Sequence, residues 1–253
     1  MLGKVLKYDF KYMGKMLLPL YLITLGTCGL TRLLYILAEQ SVVFEVLSFL
    51  TNVGGLILLV GAVAFTFIIA IKRFHTNLFK EEGYLTNVLP VKIQTHILSK
   101  FVCSLIFNIL AVLVFIGSFF IMYYSIELTE GMSAFIDVFK KIIIYGIIFV
   151  ILALQTYEML VITAYSIGQR KAKNKIPYSI VSGIGLYFIG QVIILSAIGI
   201  AIITQPNFLE LLEVVDIEAI KTIIIIANIS NIVCNIIYYF ITIWSLNKKM
   251  DLE

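Results

Sequence analysis

Apolar residues run through this chain in six blocks, over positions 17–38, 48–71, 98–124, 141–168, 179–203 and 222–245. Each is roughly 20 residues or longer, the length an α-helix needs to cross a hydrocarbon layer about 30 Å thick. Lipid offers no hydrogen bonds to an open backbone, so blocks of this kind predict helices. The period-two alternation of a membrane β-barrel is missing. The pattern predicts an all-α membrane protein of six transmembrane helices, forming one domain over 1–253 with only short connections.

Composition strengthens this reading. The chain is 61% hydrophobic and 13% charged, with a mean hydropathy of +1.04; a soluble domain is nearer half apolar and a quarter charged. The formal charge of +4 hides an asymmetry. With the N-terminus inside, Lys4, Lys7, Lys11, Lys15, Lys72, Arg73, Lys80, Lys92, Lys100, Arg170, Lys171, Lys173, Lys175, Lys248 and Lys249 fall on the cytoplasmic side, 15 of the 19 Lys and Arg. The acids Glu39, Glu45, Glu127, Glu130, Asp137, Glu210, Glu213, Asp216 and Glu218 collect on the other. By the positive-inside rule both termini are cytoplasmic. The basic balance reports topology, not nucleic-acid binding. Cys28, Cys103 and Cys234 fall singly within spans, with neither disulfide nor metal spacing.

The opening stretch MLGKVLKYDFKYMGK is too polar to span. Lys4, Lys7, Lys11 and Lys15 share one helical face, with Leu2, Val5, Leu6 and Met13 roughly opposite and Asp9 interrupting the apolar edge. This predicts an amphipathic interfacial helix over 1–15, with its lysines toward membrane lipid headgroups.

Three groups are candidates for a translocation path. Glu158 is the acid placed well inside a span, and an intramembrane carboxylate is expensive enough to suggest a role. Asn228, Asn231 and Asn235 lie on one face of the sixth span, and Thr24, Thr27 and Thr31 on one face of the first. The bland reading of both stripes is hydrogen bonding between helices. Enzymatic motifs are absent: Glu81-Glu82 resembles the paired glutamates of intramembrane metalloproteases but has no downstream Arg at the right spacing, and His75 and His96 have no metal-ligand spacing. The chain is read as no enzyme, with no cofactor or metal of its own.

The longest polar interruption is RFHTNLFKEEGYLTNVLPVKIQTHILSK, residues 73–100. NLFKEEGYL allows one or two helical turns, Gly83 offers a break, and Pro90 forbids a continuous helix. The expected result is a compact cytoplasmic segment over 73–97 that exposes Leu78, Phe79, Tyr84 and Leu85 beside Lys80, Glu81 and Glu82, a composition suited to docking.

That stretch resembles the cytoplasmic segment between the second and third spans of ABC-2-type ABC transporter permeases. In the small bacterial members a pattern R-F-x-x-x-L-F-x-x-E-G-Y-L-x-x-x-L-P-V precedes a Ser-Lys that opens the next helix. SIGQRKAKNKI at 166–176 is similar to the family's basic inner loop. The resemblance implies a coupling helix between spans two and three that docks on a separate P-loop ATPase. Leu78, Phe79, Lys80, Glu81, Glu82, Gly83, Tyr84 and Leu85 would form the docking site. It further implies a second permease subunit, two ATPase copies carrying the ATP and Mg, and a bacterial plasma-membrane location. The activity implied is export of an amphipathic substrate, as by exporters of antimicrobial or toxic peptides such as the phenol-soluble modulins. The competing expectations are a self-contained transporter or channel, and a non-transporting membrane sensor or immunity protein.

Overall fold

A computed structural model describes residues 2–38, 41–79, 93–123, 126–171, 173–204 and 217–247. Six long helices account for nearly all of them: α1 (Leu2–Leu37), α2 (Val42–Phe79), α3 (Ile93–Tyr123), α4 (Ile126–Gly168), α5 (Lys175–Thr204) and α6 (Ile217–Leu246). Each contains a stretch long and apolar enough to cross a membrane, as the block pattern predicts, and no strand occurs among the described residues.

The helices sort into two threes. α1 packs on α2 and α3, while α4 packs on α5 and α6; among the described residues the backbone of α1 does not pack against that of α4, α5 or α6. The first group closes around Met13, Leu17, Tyr21, Ala62, Cys103 and Phe107. The second closes around Met159, Ile162, Leu186, Cys234 and Tyr238, and it also takes in Phe74 and Leu78 from the end of α2 and Ile97 from the start of α3. Those three side chains, with the α3–α4 contact, join the halves. Outward faces are apolar and exposed, as lipid-facing surfaces must be.

Two expectations are corrected here. The first concerns 1–15, which is not an element apart: residues 2–37 form one helix that passes through Pro19. A buried stripe of Asp9, Met13, Leu17, Tyr21, Thr24, Cys28 and Thr31 runs at spacings of three and four along its length. The inner end of α1 is therefore packed on α2 and α3 like the rest, and Lys4, Lys7, Lys11 and Lys15 are exposed on the other side. At 1.5 Å per residue its 36 residues span about 54 Å, well beyond the hydrocarbon thickness.

The second correction concerns 73–97. α2 remains helical to Phe79 and α3 is helical from Ile93, so residues 73–79 and 93–97 belong to the long helices rather than to a separate segment. Leu78, expected on an exposed docking face, is 2% exposed and part of the core. The helix continues because its polar residues find partners inside the bundle. Lys80, Glu81, Glu82, Gly83, Tyr84 and Leu85 lie outside the described residues, as does the side chain of Phe79.

The corner between α4 and α5 is tightly built. A Cβ at Gly168 would collide with the Ser179 side chain and the Lys175 carbonyl, so only glycine fits that approach. Asn174 adopts a left-handed φ of 59°, and its carbonyl accepts the Tyr178 N–H at 3.2 Å to open α5. Arg170 lies over the Trp244 ring at 4.4 Å and Lys171 over Tyr178 at 4.7 Å.

Candidate functional site: a polar seam inside the bundle

Polar side chains are buried at successive levels along the bundle. At the end of the first half where α1 begins, Asp9 is 1% exposed and faces both α2 and α3. Arg73 Nε donates to its Oδ1 at 2.9 Å, and Ser99 Oγ donates to its Oδ2 at 2.8 Å. Lys100 Nζ lies 3.4 Å from the same Oδ2 and donates to Asn77 Oδ1 at 2.6 Å. The Arg73 guanidinium is stacked over the Tyr12 ring at 4.5 Å, and cation and ring attract most strongly where water is excluded. One carboxylate thus ties α1 to two cations on two other helices. His96, one turn before Lys100, is also buried, and neither ring nitrogen meets a hydrogen-bond partner.

The middle level is neutral except for one residue. Tyr21 Oη and Thr66 Oγ1 are 2.7 Å apart, and Tyr21 also donates to the Phe107 carbonyl at 3.3 Å. From α4, Gln155 Nε2 donates to Ser104 Oγ at 2.9 Å, and Asn108 Nδ2 donates to Gln155 Oε1 at 3.3 Å. Beside this group sits Glu158, 0% exposed. Ser104 and Asn108 flank it from α3 without reaching hydrogen-bonding geometry with either carboxylate oxygen. Glu158 therefore does not open onto a lumen in this conformation. It is held in the junction between the halves.

The second half is joined by hydroxyls and amides. Asn228 Nδ2 donates to the Tyr145 carbonyl at 3.2 Å. Asn235 Nδ2 donates to Thr156 Oγ1 at 2.8 Å, while its Oδ1 is left without a donor. The Asn231 carbonyl accepts from Asn235 at 3.0 Å and from Thr156 at 3.4 Å. Farther inward, Thr163 and Thr242 pair at 2.9 Å and Ser245 Oγ donates to the Ser166 carbonyl at 2.8 Å. Tyr238 Oη reaches the Leu186 carbonyl of α5 at 3.0 Å. A bond from His75 to the Tyr165 hydroxyl crosses between the halves.

The sequence candidates are thereby placed. Asn228 and Asn235 bind α4, and Asn231 contributes its carbonyl. Thr24, Thr27 and Thr31 donate to the carbonyls of Leu20, Thr24 and Thr27 on their own helix, at 2.8, 2.9 and 2.9 Å. Neither stripe meets Glu158. The Asp9–Arg73–Lys100 cluster was not anticipated. Its signal was present, because Asp9 falls on the same face as Met13, Leu17 and Tyr21, where an acid is out of place unless it has a partner.

Comparison of the chain with family models, with curated proteins and with solved structures returned no match.

Proposed function

We propose that this chain is the membrane-spanning permease subunit of an ATP-binding-cassette exporter, working as a half-transporter beside a second permease subunit. The carrying observation is the way the motif-bearing connection is mounted. The R-F-x-x-x-L-F-x-x-E-G-Y-L-x-x-x-L-P-V pattern links α2 to α3, and both helices are tied to α1 through Asp9, by Arg73 on one side of the connection and Lys100 on the other. A force applied to 80–92 enters three spans together, as coupling by rigid-body motion requires. The docking residues in this reading are Phe79 to Leu85, without the buried Leu78. ATP and Mg are handled by two copies of a partner P-loop ATPase, and an amphipathic peptide is the cargo that suits a bundle so poor in accessible charge.

The test is purification from the native host in mild detergent. A P-loop ATPase is expected to co-elute, and Glu82→Ala with Tyr84→Ala to remove it or to uncouple hydrolysis from transport. If no ATPase co-elutes with wild type, or the double variant changes nothing, the reading fails. Glu158 favours one other reading, a self-contained carrier that moves substrate by exposing this carboxylate in turn to each side. Transport by the chain reconstituted alone would establish that reading instead.

A further inference from the structure

The end of the first half opposite Asp9 carries a pocket of about 450 Å3, enclosed by the last turns of α1 and α3 and the first turns of α2. Its wall is chemically mixed. Arg32 comes from α1, Glu45 and Asn52 from α2, and Tyr123 from α3, whose hydroxyl donates to Asn52 Oδ1 at 3.4 Å. Arg32 and Glu45 bear opposite charges, yet they do not pair with each other, and neither takes an ion-pair partner among the described residues. The Arg32 guanidinium instead lies over the Tyr35 ring at 5.7 Å. This contrasts with the inner end, where every charge of the Asp9 cluster is paired.

Two unpaired opposite charges on one pocket wall suit a ligand that carries both signs. The surroundings say where such a ligand comes from. Tyr35 and Phe49 line the pocket and are themselves exposed, so its mouth opens on the apolar outward surface of two helices long enough to span a membrane. Its aromatic lining of Tyr35, Phe49 and Tyr123 is of the kind that gathers at membrane–water interfaces.

We propose that this pocket binds the headgroup of a zwitterionic phospholipid bearing a primary ammonium. The phosphate sits against Arg32, whose forked donors match phosphate oxygens while its face stays on Tyr35. The ammonium is directed to Glu45, and the acyl chains lie along the exposed apolar faces of α1 and α2. A primary ammonium donates hydrogen bonds to a carboxylate where a quaternary one cannot, so phosphatidylethanolamine is preferred over phosphatidylcholine. The proposal is independent of the transport reading, since a lipid held here would brace the outer ends of three helices whatever the chain carries.

The experiment uses the full chain in nanodiscs of equal phosphatidylethanolamine, phosphatidylcholine and phosphatidylglycerol, followed by gentle delipidation and native mass spectrometry of the lipid retained. Wild type is expected to hold phosphatidylethanolamine roughly threefold above its share, the scale of half-exposed ion pairs. Glu45→Gln should erase the preference over phosphatidylcholine and shift retention toward phosphatidylglycerol. Arg32→Gln should lose bound phospholipid of all three kinds, and Arg32→Lys should recover most of it. Retention in bulk proportions by wild type overturns the proposal, as does a profile unchanged in both Gln variants. Should Arg32→Gln fail to fold, Glu45→Gln and Arg32→Lys decide the matter by the same profile.

Discussion

Where α1 begins, the buried polar contacts among α1, α2 and α3 are ion pairs, whereas those described between α4, α5 and α6 join hydroxyls, amides and carbonyls. The first arrangement is concentrated: Asp9 receives Arg73, Ser99 and Lys100 in one place. The second is distributed over Thr156 with Asn235, Thr163 with Thr242, and Ser166 with Ser245. A buried ion cluster fails as a unit, because removing one member strands the others in a medium that cannot solvate them. Hydroxyl and amide contacts in a bilayer are worth little singly, and their partners find substitutes nearby. The first half should therefore move as one body, and the second should be able to slide on its own hydrogen bonds.

The largest effect that would test this contrast is Asp9→Ala, which removes the buried carboxylate that Arg73 and Lys100 share. A loss of about 3–5 kcal/mol is expected, seen as a collapse of the thermal transition of the detergent-solubilised chain. A shift no larger than that of a surface lysine variant would show that the cluster is not a clamp. A smaller effect is expected in the second half. A double-mutant cycle of Thr163→Val and Thr242→Val should give a coupling of ~0.6 kcal/mol, and a coupling of several kcal/mol would erase the distinction between the halves. The smallest effect is expected at their junction. Glu158→Gln removes a carboxylate that holds no hydrogen-bond partner, so the unfolding transition should stay in place or rise by a few degrees. A marked fall would mean that Glu158 has a structural partner in the folded chain.

The six spans could be read from hydropathy because lipid makes a uniform demand on every residue in them. Where each helix stops could not, because that depends on partners distant in sequence. Lys72-Arg73, His75 and Asn77 look like a loop when read along the chain, and the helix carries them because Arg73 meets Asp9 and Asn77 meets Lys100. The same continuation draws Leu78 into the core. Glu158 stood out alone since one acid in a span is conspicuous, yet its burial at the α3–α4 junction follows from packing that no local pattern contains. The Asn face of α6 was correctly seen as a face, and what it binds became visible only with α4 beside it. Helix glycines are equally mute in the sequence: Gly55, Gly183 and Gly190 lie close to neighbouring side chains, whereas Gly54, Gly61 and Gly185 have open space around them.

Asp9 also imposes an order of assembly. Arg73 is synthesised 64 residues after it and Lys100 91 residues after it, so α1 reaches the bilayer before either cation exists. Until then its acid is best left at the water boundary, among the four lysines of its own helix. As α3 emerges, the carboxylate can be neutralised and α1 can settle against its neighbours. The three-helix half is thus the earliest product of translation able to close, and α4 to α6 arrive at a partner that is already formed.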